Sequence, residues 1–240
     1  MIIIWDLDYT LLDTVKFKEA LSEAVTSCGP SAERYEQTYD RIVKRDGKAY
    51  DYDPDVHLEA LRDDFPDEKS FAEARSRIDE VLSRTEEYLY PGSVELLKKL
   101  HGAGAKQILL TLGNEKWQEA KVKHSGLADL FDGVVATGKK KGTVIRDFAA
   151  EGEEVVVVND NGEEMKEMME QMPEFRYILK EGPKRFPEGL KLPTGRTIED
   201  VERLIGLTVP ETKESKEGKM SPEDGESGAS PSDPVRSSRL

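Results

Sequence analysis

Ile2–Trp5 is an unbroken apolar run that stops at an acidic turn, the pattern of a strand covered on both faces. Lys106–Thr111 (KQILLT), Gly133–Ala136 (GVVA), Val155–Val158 (VVVV) and Arg176–Leu179 (RYIL) read the same way. Amphipathic segments separate them: Val94–His101, Glu115–His124, Thr143–Ala150 and Glu163–Met172. Strands alternating with helices of this length predict an α/β fold, a parallel sheet with helices on both faces. Residues 14–87 break the alternation. They hold no convincing strand and four helical stretches, Val15–Ser27, Ala32–Arg45, Pro54–Asp63 and Glu68–Glu86. An insertion of this kind directly after the first strand predicts an all-helical cap over the C-terminal edge of the sheet. Pro91-Gly92 then marks re-entry to the core at a helix start.

Composition adjusts this picture at the far end of the chain. Glu211–Leu240 is rich in Ser, Pro, Gly, Glu and Lys and has no aromatic residue, so burial there does not offset ordering entropy. The expected organisation is a core at 1–13 and 88–206, a helical cap at 14–87 and a disordered tail at 207–240. Over 240 residues the net charge is −14, which argues against broad nucleic-acid binding. A phosphate site in such a chain must build its positive field locally, from a metal, a lysine or backbone N–H groups. Cys28 is the single cysteine, which excludes an internal disulfide and a Cys-based metal site and reads as a small buried residue or an inert thiol. Ile2–Trp5 is too short for a signal peptide, and no stretch approaches the ~20 apolar residues of a membrane span. A cytoplasmic protein with no membrane partner is expected, and its oligomeric state is not set by these features.

In open parallel sheets, ligands bind beyond the carboxyl ends of the strands. The first strand ends in Asp6, Leu7, Asp8, Tyr9 and Thr10, the second in Thr111, Leu112, Gly113 and Asn114. Lys139, Lys140 and Lys141 follow the third, and Asn159, Asp160, Asn161, Gly162, Glu163 and Glu164 close the fourth. Carboxylates, a hydroxyl and a lysine therefore converge on one rim. Hard oxygen ligands at open turns suit Mg²⁺, which takes one or two carboxylates, waters and a phosphate oxygen. A carboxylate can attack phosphorus to give an aspartyl-phosphate, and a second one nearby can serve as acid and then base. Hydroxyl, N–H and lysine donors would hold the transferring phosphoryl group.

The segment Trp5-Asp6-Leu7-Asp8-Tyr9-Thr10-Leu11-Leu12-Asp13-Thr14 resembles the DxDxT signature of the haloacid dehalogenase (HAD) superfamily. The resemblance runs from residue 1 to about 206, with four motifs in the family's order, and the insert before Tyr90-Pro91-Gly92 resembles members with a C1-type cap. It implies a Rossmann-like core and a Mg²⁺-dependent phosphatase acting on a small phosphorylated metabolite. In that reading Asp6 is the nucleophile, Asp8 the acid/base, and Thr10 the threonine that braces the loop. Thr111 hydrogen-bonds the phosphoryl group, and Lys141, favoured over Lys140, is the site lysine. Leu112, Gly113, Asn114, Thr10 and Lys140 complete the implied phosphate cradle. Asp160 and Glu164, with Asp6 and the Asp8 carbonyl, are the implied metal ligands. Tyr9 and Asn159 depart from the pattern, standing where many relatives have glycine, or glycine or serine.

Other residues have plainer readings. Asp13 belongs to a helix N-cap region. His57, His101 and His124 lack metal-ligand spacing and read as surface or helix residues. Trp5 and Trp117 read as core aromatics, and Met165, Met168, Met169 and Met172 as packing at helical spacing. Arg41, Lys44 and Arg45 face either substrate or solvent. Phosphonatase or phosphomutase chemistry on the same fold is the alternative, a phosphonatase needing a cap lysine among Lys16, Lys18, Lys44 and Lys48. A catalytically idle phosphate-binding protein is the other, which the two carboxylates in one turn disfavour.

Overall fold

The computed structural model describes residues 1–43, 52–148, 152–183, 187 and 189–206. The strands β1 (Ile2–Trp5), β2 (Lys106–Leu112), β3 (Gly133–Thr137), β4 (Val155–Asn159), β5 (Arg176–Lys180) and β6 (Thr194–Gly195) form one sheet in the order β3-β2-β1-β4-β5-β6. Every pairing is parallel. The central strands are apolar at consecutive positions because both faces are covered. Ile3, Trp5, Leu109, Val156, Val158 and Ile178 point into one cluster, while Ile2, Ile4, Ile108, Leu110, Val155 and Val157 point into the other. This is the period-two alternation of a strand, with both phases buried.

Helices α1 (Thr14–Thr26), α2 (Ala32–Val43), α3 (Pro54–Ala60) and α4 (Glu68–Ser83) follow β1 without an intervening strand of the sheet. Asp13, Asp53 and Asp67 cap α1, α3 and α4 with their side chains, supplying partners for the first free N–H groups. The insertion shares the first cluster with the sheet, since Phe17, Leu21, Tyr35 and Leu58 belong to it with Trp5 and Leu7. The entry and exit strands of the insertion also pair: Asp13 N–H donates to the Tyr88 carbonyl at 2.8 Å and Tyr90 N–H to the Leu11 carbonyl at 2.9 Å. Helices α5 (Ser93–Gly102), α6 (Glu115–His124), α7 (Lys141–Val144), α8 (Gly162–Gln171) and α9 (Ile198–Ile205) alternate with the later strands. Among the described residues no helix is long and apolar enough to cross a membrane. The expected tail at 207–240 lies outside the described residues, as do Lys44, Arg45 and Lys48.

Two expectations are corrected. Val134 of β3 is exposed and its neighbours only half-buried, because β3 is an edge strand instead of one covered on both sides. The helix expected at Thr143–Ala150 is the short α7 followed by a 3₁₀ segment at Ile145–Phe148. His57 is a helix residue, on α3, and it is buried, 1% exposed. Its Nε2 lies 3.2 Å from the Tyr35 carbonyl, which can only accept, so Nε2 carries the proton and Nδ1 accepts from the Tyr52 hydroxyl at 3.3 Å.

Burial pulls the His57 imidazole down to about 4, against the hydrogen bond to Tyr35 and with help from Arg41. Folding therefore favours the neutral ring. The resulting stability is complete above the unfolded pKa near 6.5 and is lost as pH falls towards 4, roughly 3 kcal/mol in all. Urea unfolding between pH 7 and pH 4 should show this slope in the wild type and a flatter one in His57→Gln. Equal slopes would remove the histidine from the explanation.

Candidate active site

The strand order reverses at β1, which has β2 on one side and β4 on the other. A crevice opens at such a point beyond the carboxyl ends of the strands, and the loops after β1 and β4 fill it with carboxylates. Asp6 N–H donates to the Val158 carbonyl at 2.9 Å, extending the ladder until the chain turns. The Leu7 carbonyl then accepts from Thr10, Leu11 and Leu12 N–H at 3.2, 3.0 and 3.0 Å. This tight turn places Tyr9 at φ 61, the left-handed region, and no other described non-glycine residue has positive φ. A side chain there costs about 1–2 kcal/mol. The glycine that the family resemblance leads one to expect here would carry no such cost. Tyr9→Gly should accordingly be about 1 kcal/mol more stable than Tyr9→Ala, reversing the usual order of these residues. Thermal unfolding of the two variants checks it.

Asp6 is buried, and Lys141 at the start of α7 places its Nζ 2.6 Å from Asp6 Oδ1 and 3.0 Å from Glu164 Oε2. Glu164 is held by Asn159 Nδ2 at 3.1 Å and Asn161 Nδ2 at 2.8 Å, so the departure at Asn159 braces the lysine's second partner. Burial pushes the Asp6 carboxyl up; Lys141 pulls it back, while Glu164 and Asp8 push it further. Burial would lower the Lys141 ammonium, but the carboxylates of Asp6 and Glu164 outweigh it and raise its pKa.

Asp8 is gripped from three sides. Lys121 Nζ lies 2.7 and 2.6 Å from its two oxygens, Gln118 Nε2 donates to it at 3.0 Å, and the Thr14 hydroxyl donates at 2.9 Å. Thr14 Oγ1 also accepts from Tyr9 N–H at 3.0 Å, which ties the turn to the first helix of the insertion. Burial alone would raise the Asp8 carboxyl, but Lys121, with Gln118 and Thr14, brings it down to about 2. Lys121 and Gln118, on α6, and Thr14 have no role in the sequence reading. The available signal was a lysine and a glutamine inside the buried stripe of α6, beside Trp117 and Val122.

Asp6, Asp8, Leu112, Lys141, Asp160 and Glu164 line one cavity of about 690 Å³ including its mouth. Four of the predicted cradle residues do different work. Lys140 is exposed and reaches Glu167 at 3.3 Å, away from Asp6, because it caps α7 from outside while Lys141 enters its first turn. Gly113 N–H donates to the Thr137 carbonyl at 2.9 Å, and the Asn114 side chain caps α6 at Trp117 N–H. Thr10 lies buried beneath the turn, outside the cavity lining. Thr111, the penultimate residue of β2, is fully buried and likewise outside the lining. The Thr10 and Thr111 hydroxyls have no partner among the described residues. Arg41 is exposed, and Lys16 is an exposed partner of Asp13 at 2.8 Å.

The donor set suits a hard divalent cation that keeps several waters. Among the described residues no three His, Cys, Asp or Glu groups could hold an ion by themselves. Mg²⁺ needs only one or two carboxylates. Asp6 and Asp160 follow neighbouring strands and line the same cavity, where four carboxylates face two buried ammonium groups, Lys121 and Lys141. The side chains of Glu164 and Asp8 are partners of those lysines; Glu164 was expected as a ligand by its side chain and Asp8 by its carbonyl. A Cβ at Gly182 would meet Asp160 Oδ2 at 3.0 Å, so glycine there gives this carboxylate its room.

The family model described as haloacid dehalogenase-like hydrolase matches residues 1–168. The chain belongs to this family. No curated protein matches this HAD hydrolase by sequence. Among solved structures, a haloacid dehalogenase-like hydrolase of Burkholderia xenovorans LB400 aligns with TM-score 0.65 at 18% identity, covering 85% of this chain and 95% of its own. The HAD-hydrolase YfnB of Bacillus subtilis, bound to magnesium, aligns with TM-score 0.58 at 15% identity, covering 85% and 98%. The L-2-haloacid dehalogenase of Xanthobacter autotrophicus aligns with TM-score 0.56 at 20% identity, again covering 85% and 98%. At these identities the likeness carries the fold alone.

Proposed function

We propose that this HAD hydrolase is a Mg²⁺-dependent phosphatase that cleaves a small phosphomonoester through an aspartyl-phosphate. The observation that carries the reading is a second carboxylate, Asp8, in the same cavity as Asp6 and two residues beyond it. Ester cleavage needs a group to protonate the leaving oxygen and then deprotonate water, work that a halide leaving group does not require in the first half. Asp6 attacks phosphorus, the P–O ester bond breaks, and the departing oxygen receives its proton through Asp8. Asp8 must first take that proton up from solvent, because Lys121, Gln118 and Thr14 keep its carboxyl ionised. Water then attacks phosphorus, Asp8 takes its proton, and the Asp6–phosphorus bond breaks to release phosphate. Lys141 keeps the Asp6 oxygen in place and offsets charge on the phosphoryl group. Asp6, Asp160 and the Asp8 carbonyl are the groups that would hold Mg²⁺, whose charge would offset that of the phosphate when bound. The helical insertion acts as the cap in this reading, with the paired 13–15 and 87–91 connections as hinges.

Phosphate release from p-nitrophenyl phosphate and a panel of phosphorylated metabolites, with Mg²⁺ and with chelator, tests the reading against halide release from L-2-chloropropionate. Magnesium-dependent phosphate release is the expected result. Halide release without phosphate release would make the chain a dehalogenase and sink the phosphatase reading.

A further inference from the structure

Besides its carboxylates, the cavity is lined by rings from three parts of the chain. Tyr39 on α2, Tyr52 ahead of α3 and Trp117 on α6 all line it. The rings form a connected series, with Tyr39 and Tyr52 centroids 5.1 Å apart at 40° and Tyr52 and Trp117 5.6 Å apart at 67°. Phe17 continues the series, 6.1 Å from Trp117.

Several polar atoms around this wall are already engaged. The Tyr52 hydroxyl is with His57, Gln118 Nε2 serves Asp8 and the Leu112 carbonyl, and Lys121 is spent on Asp8. Lys18 stands over the Tyr39 ring at 4.8 Å. A polyhydroxylated leaving group would exchange water for ring faces here, leaving hydroxyls short of partners. A flat ring would meet ring faces and edges instead.

We propose that the group esterified to phosphate carries an aromatic ring, received against the wall that Tyr39, Tyr52 and Trp117 form while the phosphoryl group faces Asp6. This rests on the phosphatase reading above and names its substrate class. The inference is independent of how reactive the leaving group is, since it concerns the ring and not the acidity of the alcohol.

The test pairs 2-phenylethyl phosphate with 2-cyclohexylethyl phosphate, whose leaving alcohols have similar acidity, and adds glucose 6-phosphate. With the full chain and Mg²⁺, kcat/KM should be roughly tenfold higher for the phenyl ester than for the cyclohexyl ester, and higher still than for the sugar phosphate. Tyr39→Leu and Tyr52→Leu should each bring the phenyl-to-cyclohexyl ratio towards one. Tyr39 is the cleaner probe, because Tyr52 also partners His57 in the insertion's core. Calorimetric binding of the two esters to Asp6→Asn gives a readout that needs no turnover. If no ester yields phosphate but the phenyl ester binds this variant about tenfold tighter, the phosphatase reading fails and the ring site stands. Turnover with no phenyl preference, a sugar phosphate preferred, a ratio unchanged in both leucine variants, or no binding difference with no turnover overturns the ring site.

Discussion

Asp6→Asn should lower Mg²⁺-dependent phosphate release by at least ~10³-fold while leaving the protein folded and no less stable than the wild type. The loss of turnover follows because an amide oxygen does not form the covalent intermediate. The retained stability follows from the site's electrostatics. Burial, Glu164 and Asp8 all disfavour a charged carboxyl at position 6, and Lys141 only partly offsets them. A neutral amide of the same shape removes that penalty, and Lys141 keeps its Glu164 partner at 3.0 Å. Activity and stability should thus move in opposite directions at one residue, as expected where a site holds charge that the fold alone would not choose. Phosphate release and thermal unfolding measured on the same preparation check both halves. A variant that still turns over at near wild-type rate removes Asp6 as nucleophile. A variant that unfolds well below the wild-type temperature removes the electrostatic account.

The core was legible because its strands are buried on both faces. Runs such as Ile2–Trp5 and Val155–Val158 have no polar interruption, and a strand that ends in a carboxylate turn announces both the sheet and its rim. Edges were harder. Val134–Ala136 carries the composition of a central strand while β3 lies at the edge, and β6 is two residues long, too short for any periodic signal. Helix α9 did leave a trace, a Thr197–Asp200 capping box before Ile198, Val201 and Ile205.

At the site, the residues fixed by strand ends could be read, and those fixed by the facing of helices could not. Asp6, Asp160 and Lys141 stand within two residues of a strand end or at the first residue of a helix, so chain order alone brings them together. Choosing Lys141 over Lys140 turned on where α7 begins, and one residue of offset puts one lysine on Asp6 and the other on Glu167. Lys121, Gln118 and Thr14 reach Asp8 only because α6 and α1 present particular faces to the β1 turn. Helix periodicity shows which stripe is buried, and it does not show which loop the stripe is buried against. For the same reason Trp117 reads as a packing aromatic in one dimension and, with Tyr39 and Tyr52, as part of a cavity wall in three.

The ion pair between Lys121 and Asp8 leads to the second large effect. Lys121 has a side chain only 3% exposed, whereas that of Asp8 is 21% exposed. Asp8→Asn strands the ammonium in the protein interior, with an amide where two charged oxygens were, and should cost about 3–5 kcal/mol. Lys121→Met leaves Asp8 with Gln118 and Thr14 as donors and some access to water, so its cost should be smaller. The double variant Asp8→Asn/Lys121→Met removes both charges together and fills the lysine's space with a chain of similar length. It should recover at least half of the loss seen in Asp8→Asn, because a matched neutral pair avoids the desolvation that an unpaired charge incurs. Urea denaturation of the four proteins gives the cycle directly. Additive losses would mean that the contact adds nothing to the fold. Recovery in the double variant without recovery of phosphate release would separate the two duties of Asp8, one structural through Lys121 and one chemical beside Asp6.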